Sequence, residues 1–276
     1  GVIEKILEVL PEKDGWCVEF GAWDGKYLSN TYNLIEHKNY KAVLIEADKT
    51  KFVTLKTNFA SNKNVFPVNQ FVGFESNNNL DHILEKTPIP EKFDFLSIDI
   101  DGNDYYAWQA MTKYKPKLVV IEFNPTIPTE VNFVQEKNIH TSQGCRLMAL
   151  VRLGKEKEYE LVCVTTHNAI FVRKEYFPLF EIDDNSPYTL RTELGSITYI
   201  FSGYDGQVFL RGQQVLLWHN VALRETKVQH LPKVLRTFPD NYSALQRLFF
   251  KVFCKYKQIS LSLRKGLIGL IRMVIK

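Results

Sequence analysis

Short, unbroken apolar runs recur along the first 175 residues, and the stretches between them carry helical spacing. Residues 16–20, 42–46, 65–71, 93–100 and 118–123 are rich in β-branched and aromatic side chains, and read as strands buried on both faces. An amphipathic helix over residues 2–10 precedes them and stops at Pro11. Further helical patterns fall near 29–38, 48–60, 78–86 and 104–113. Strands alternating with helices at this interval predict an α/β fold, a Rossmann-like doubly wound sheet.

A loop-like segment over 126–140 leads to a helix at about 142–156. Strands at 160–165 and 169–173 then follow, joined by the turn Thr166-His167-Asn168. A turn this tight makes the seventh and last strand antiparallel. Residues 181–240 break the alternation and contain a hairpin, ITYIFSGYDGQVFL, turning at Gly203–Gly206, which marks a small accessory module. In the tail, 241–276, Leu245, Leu248, Phe249, Val252, Phe253 and Tyr256 form a helical stripe that Leu263, Leu267, Leu270, Ile271 and Val274 continue. The expected division is a catalytic domain over 1–180, an accessory module over 181–240 and a basic amphipathic helix over 241–276.

Charge sharpens this division. The chain of 276 residues has a net charge of +4, yet the tail from Asn241 holds eight Lys and Arg and no acid, leaving the rest at −4. Arg247, Lys251 and Lys255 line a face beside the apolar stripe, a pattern suited to an anionic membrane surface. The same stripe would also suit packing against the body or against a second subunit in a homo-oligomer. The acidic body argues against nucleic acid as a partner. Apolar residues at 45% and charged residues at 24% are those of a globular protein, and no run approaches the ~20 apolar residues of a membrane span. The opening residues carry acids and lack the apolar core of a signal peptide. Cys17, Cys145, Cys163 and Cys254 have no metal-site spacing and read as free thiols of a reducing compartment. The expected location is cytoplasmic, peripheral at the inner membrane face.

Candidate chemistry begins where the first strand ends. In CVEFGAWDGKYLSNTYNL, Glu19 precedes a turn holding Gly21 and Gly25, and a helix-like run follows. The glycines would let a ligand approach the main chain, and the helix start offers free N–H groups. The spacing is not the G-x-G-x-x-G of dinucleotide sites, and a carboxylate beside the turn suits an ammonium or sulfonium better than a pyrophosphate. Glu46 ends the second strand 21 residues after Gly25, where an acid can accept hydrogen bonds from both ribose hydroxyls. Together they describe an adenosine carrying an amino-acid group, S-adenosylmethionine. Trp23 either flanks that donor or packs under the loop. Asn30 either meets its methionine carboxylate or caps the first helix, and Asn69 meets the adenine or bonds at a strand end.

Residues 15–173 resemble the class I S-adenosylmethionine-dependent methyltransferases, most closely the FkbM-like branch. The residues that carry the likeness are VEFGAWDG, LIEAD, FDFLSIDIDGNDYYAW and VVIEFNP, in the family's order. The resemblance implies methyl transfer, usually to oxygen, on sugars, glycans or small natural products. It also implies a donor site at Glu19, Gly21, Ala22, Asp24, Gly25 and Glu46; Asp99 is a further candidate for contact with the donor. The branch commonly reads Lys-Ile-Asp-Val-Glu-Gly at strand four, where this chain has Ser97-Ile98-Asp99-Ile100-Asp101-Gly102 and lacks the lysine.

Asp99 and Asp101 are two apart near the end of strand four, and Glu122 and Asn124 stand likewise after strand five. Four oxygen-bearing side chains converging there suit a hard cation such as Mg²⁺, which would acidify a substrate hydroxyl. The alternative is that one aspartate caps the next helix. Asp99 and Asp101 are candidate bases, and His140 is a third if its loop closes over the substrate. A nicotinamide-dependent oxidoreductase and a non-catalytic, membrane-associated binding protein are the competing readings.

Overall fold

Every residue of β1 (Trp16–Phe20) is buried, as is every residue of β2 (Lys41–Glu46) after the first. Strands of this kind must be covered on both faces, and the chain supplies a helix after almost every one. The computed structural model describes residues 1–258. In order they form α1 (Val2–Val9), β1, α2 (Tyr32–Lys38), β2, α3 (Lys49–Asn58), β3 (Val65–Asn69), α4 (Leu80–Leu84) and β4 (Phe95–Ile98). Then come α5 (Asp104–Ala110), β5 (Leu118–Glu122), α6 (Leu147–Glu156), β6 (Tyr159–Val164) and β7 (Asn168–Arg173).

The seven strands make one sheet in the order β3-β2-β1-β4-β5-β7-β6. All pairings are parallel except those of β7, which runs antiparallel to both β5 and β6. The Rossmann-like seven-stranded sheet expected from the sequence is therefore present, its last strand reversed. That strand lies inside the sheet, and β6 forms the edge. The short turn at 165–168, closed by Thr165 N–H donating to Asn168 O at 2.8 Å, leaves no length for a crossover.

Alternation along the strands sorts the core into two layers. Val18, Val43, Leu96, Val119 and Phe171 meet Leu80, Ile83, Trp108 and Leu150 on one face. Cys17, Leu44, Phe95, Val120 and Ile170 meet Ile6, Leu34, Leu55 and Phe59 on the other. Trp108 is fully buried against Tyr159 and Phe171, a core residue. All four cysteines are free.

Two helices start later than the periodicity suggests. Ser29 and Thr31 are hydrogen-bonded to Glu19, so α2 opens at Tyr32 and not at 29. Cys145 bridges Val134 in an extended stretch, and α6 opens at Leu147 and not at 142. Residues 181–194 also belong with the sheet. Ile182 packs into one core layer and Leu190 of α7 (Pro187–Leu190) against the other. The Arg191 guanidinium donates to Pro125 O, Ile127 O and Thr129 Oγ1. The first compact unit accordingly runs Gly1–Leu194.

The second unit begins at Gly195. Its β8 (Thr198–Ser202) and β9 (Val208–Gly212) form the hairpin read from the sequence, turning where Gly203 N–H donates to Gln207 O at 2.8 Å. A two-residue pair follows, β10 (Val215–Leu216) with β11 (Val221–Ala222). A helix, α8, covers residues 244–258. The tail positions Leu263, Leu267, Leu270, Ile271 and Val274 lie outside the described residues. Among the described residues, no helix is long and apolar enough to cross a membrane.

Candidate active site at the carboxyl ends of the strands

Strand order reverses between β1 and β4, and in open α/β sheets the crevice beyond the strand ends at such a point receives ligands. Register decides which side chains stand there. Phe20 pairs with Ile45 and Ile98, Ile98 with Ile121, Glu46 with Asn69 and Glu122 with Asn168. The ladder continues one step through Ala22 N–H to Ile45 O and Asp99 N–H to Phe20 O. Asn69, Glu46, Gly21, Asp99, Glu122 and Asn168 thus fall in one row across six strands. Two residues nearer the strand starts, Leu44 and Val120 are buried against α1, α2 and α3, so the row faces the same side.

The loop after β1 is fixed by the protein's own contacts. Gly21 has φ +78°, and a Cβ there would meet the Asp99 carbonyl oxygen. Gly25 has φ +75°, and a Cβ there would stand 2.5 Å from the Phe59 ring. The glycines are needed for these close approaches of the chain to itself. Buried Ala22 continues the ladder, and Asp24 Oδ1 accepts from the N–H of Lys26 and Tyr27. Trp23 is left-handed and half exposed, with the Lys51 ammonium 3.9 Å above its ring.

Glu46 closes this loop onto the tip of β2. One of its oxygens accepts from Trp23 N–H at 2.9 Å and the other from Asp48 N–H at 2.7 Å. Each oxygen keeps capacity for one further bond. Asn69, exposed beside it, donates to the Glu46 and Ala47 carbonyls. Glu19 is engaged elsewhere. Its buried carboxylate accepts from Asn30 N–H at 2.8 Å and from the hydroxyls of Ser29 and Thr31, both at 2.6 Å. Burial raises its pKa, and these bonds offset part of that shift. Asn30, held in this way, donates from Nδ2 to Ser97 Oγ at 3.0 Å, so it reaches across to β4 and does not cap α2.

Past β4 the acids gather. One carboxylate oxygen each from Asp99, Asp101 and Glu122 lies within 4.8 Å of the others. Asp99 and Glu122 share a hydrogen bond, and burial followed by repulsion among the acids pushes them up, Asp99 to about 7 and Glu122 to about 9. Near neutrality the pair retains a proton that the two carboxyl groups share. Asp101 is exposed and left-handed, φ +56°, a conformation disfavoured for a residue with a Cβ.

Asp104 holds this arrangement together. Fully buried in the first turn of α5, it accepts from Ile100 N–H and Gly102 N–H, both at 2.9 Å. Burial pushes it up to about 6. Neither Asp99 nor Asp101 caps the helix. Asp104 was not among the expected site residues, although an acid in a helix's first turn directly after D-x-D-G-N is a signal for such a role.

Asn124 is bonded to its flanking loops. Its Oδ1 accepts from Thr126 N–H and Oγ1, and its Nδ2 donates to Gln143 O, so its amide is spent on the flanking loops. The loop bearing His140 is tied to the start of α5 by Asn103 Nδ2, which donates to Asn138 O and Thr141 O. Gln135 closes it from inside, accepting from Gln143 and Gly144 N–H and donating to Thr141 O. His140 itself is exposed on this loop.

No protein-family model matches the chain, and no curated protein sequence does either. Among solved structures, a SAM-dependent methyltransferase from Aquifex aeolicus is similar over 61% of this chain and 87% of its own, at 13% identity and a TM-score of 0.37. The CurJ carbon methyltransferase is similar over 62% of this chain at 9% identity and a TM-score of 0.42, and the match spans 51% of its length. The glycopeptide N-methyltransferase MtfA, complexed with S-adenosylmethionine, is similar over 62% of this chain and 84% of its own, at 7% identity and a TM-score of 0.37. The second of these is named for methylation at carbon and the third for methylation at nitrogen.

Proposed function

We propose that the unit Gly1–Leu194 is an S-adenosylmethionine-dependent methyltransferase acting on a hydroxyl of a small saccharide-like or glycan acceptor. The observation that carries this is the row of Glu46, Gly21, Asp99 and Glu122 along the carboxyl edge of a sheet ordered β3-β2-β1-β4-β5-β7-β6. An acid with spare capacity on both oxygens suits a pair of ribose hydroxyls. The acidic cluster two strands away, with no basic side chain in it, favours a sulfonium cation and repels the pyrophosphate of a nicotinamide cofactor.

In this reading Glu46 holds the ribose, Asn69 lies on the adenine side, and the loop from Gly21 through Ala22, Trp23 and Asp24 to Gly25 borders the donor. Asn30 is directed at the methionine end, and Glu19 acts through it as a positioning residue. The donor supplies a methyl group already activated by the sulfonium. The chain's part is alignment and removal of the acceptor's proton. Asp99, ionising at about 7, has the basicity a general base needs near neutrality. Acceptance by oxygen rests on the FkbM-like resemblance of the strand motifs.

The hard oxygen donors of Asp99, Asp101 and Glu122 fit a divalent cation of the Mg²⁺ type. Bound there, it would relieve their repulsion and lower the pKa of an acceptor hydroxyl. Titration calorimetry with S-adenosylhomocysteine tests the reading, on wild type and Glu46→Gln, with and without Mg²⁺. Binding by wild type and a loss of tenfold or more in the variant are expected. Equal affinities would remove Glu46 from the ribose, and no binding by wild type would overturn the assignment.

A further inference from the structure

The second unit has the opposite electrical character to the first. Residues 1–194 hold 22 Lys and Arg against 28 acids, whereas 195–258 hold nine against three, and none of the three acids lies beyond Asp240. Within it, α8 carries two separate apolar faces. Phe250, Phe253 and Cys254 are partly covered, Phe250 through its contact with Tyr242. Gln246 on the same side donates to Val234 O, which ties this face to its own unit.

The other face is bare. Leu245, Leu248, Phe249, Val252 and Tyr256 recur at three- and four-residue intervals, which sets them in one stripe along the helix. Leu248 is 61% exposed and Val252 59%. Lys251 and Lys255 flank this stripe on one side, both exposed. Aliphatic side chains in water along a helix without acids are costly in solution, and they become favourable where the apolar face enters acyl chains while lysines remain among headgroups. A nucleic-acid site would set the cations, not leucine and valine, at the centre of the exposed face.

We propose that α8 is an interfacial anchor for an anionic lipid bilayer, its Leu245–Tyr256 stripe inserted and Lys251 and Lys255 on the headgroups. This brings the protein to a membrane surface without spanning it. It is independent of the methyl-transfer reading, because its residues lie outside that site.

Co-sedimentation of the full chain with vesicles tests it, using pure phosphatidylcholine and a mixture containing phosphatidylserine. Wild type should pellet with the anionic vesicles and much less with the neutral ones. Lys251→Gln and Lys255→Gln should each weaken binding roughly fivefold. Leu248→Glu with Val252→Glu should abolish it while circular dichroism stays unchanged, since both side chains are exposed. Equal binding to both vesicle types, or undiminished binding by the double variant, would overturn the proposal. So would a failure to pellet accompanied by tight binding to single-stranded RNA, or by a stripe-dependent dimer in sedimentation velocity.

Discussion

A Cβ on Gly21 would stand 1.7 Å from the carbonyl oxygen of Asp99. The glycine of the first turn and the acid of the fourth strand are thus one structural feature, because the loop after β1 closes only by lying directly on the backbone that carries Asp99. Gly21→Ala must move one of the two, and also places a side chain at φ +78°. A loss of about 3 kcal/mol or more is expected, seen as a fall in Tm on the order of 10 °C. An alanine variant melting with wild type would show that the loop is not pinned there.

Glu122 makes the stability depend on pH. Its pKa is raised in the fold to about 9, and an unfolded glutamate ionises at about 4.3. Between those values the native state binds the extra proton, so this contribution to stability is full below the lower value and is lost as pH rises through the upper one. Glu122→Gln removes the titration. The variant should exceed wild type in Tm at pH 9 by a few degrees, on the order of 1 kcal/mol, and the gap should close towards pH 5. A gap that grows on acidification would contradict the buried, proton-sharing pair.

Asp104 is the residue on which the acidic loop hangs. Asp104→Ala leaves the N–H groups of Ile100 and Gly102 without their acceptor, at a cost of roughly 2–4 kcal/mol. Hydrogen exchange should accelerate first at residues 100–103. Unchanged protection there would mean that the loop is held by other contacts.

Much of this architecture can be read from local pattern, and the unread parts share a cause. The strands β1, β2, β4 and β5 are continuous apolar runs because both their faces are covered, and a run of that kind is visible without neighbours. Glu46 was legible because a lone acid closing such a run has no reason to be apolar-strand material. The hairpins followed from their turns. The sequence could not show that Ser29 and Thr31 bond to Glu19 and delay α2, because that depends on a side chain ten and twelve residues away in another element. Asn124 looked like a ligand by alternation, yet Thr126 and Gln143 occupy its amide. The packing of 181–194 on the sheet was hidden for the same reason: Arg191 binds carbonyls more than 60 residues earlier.

Asp99 should titrate where no ordinary aspartate does. In protein labelled at the aspartate carboxyl carbon, one NMR resonance should shift with a midpoint near 7 and be missing in Asp99→Asn. Mg²⁺ should move that midpoint to lower pH if the three carboxylates take the ion. A midpoint near 4 would deny Asp99 the basicity assigned to it.

The position of the nucleoside decides the assignment, and a crystal grown with S-adenosylhomocysteine shows it. The ribose hydroxyls should be found on the Glu46 carboxylate, with the sulfur on the Asp99 side of the loop at Gly21. Density at another place, or an empty row of acids at saturating ligand, would contradict it.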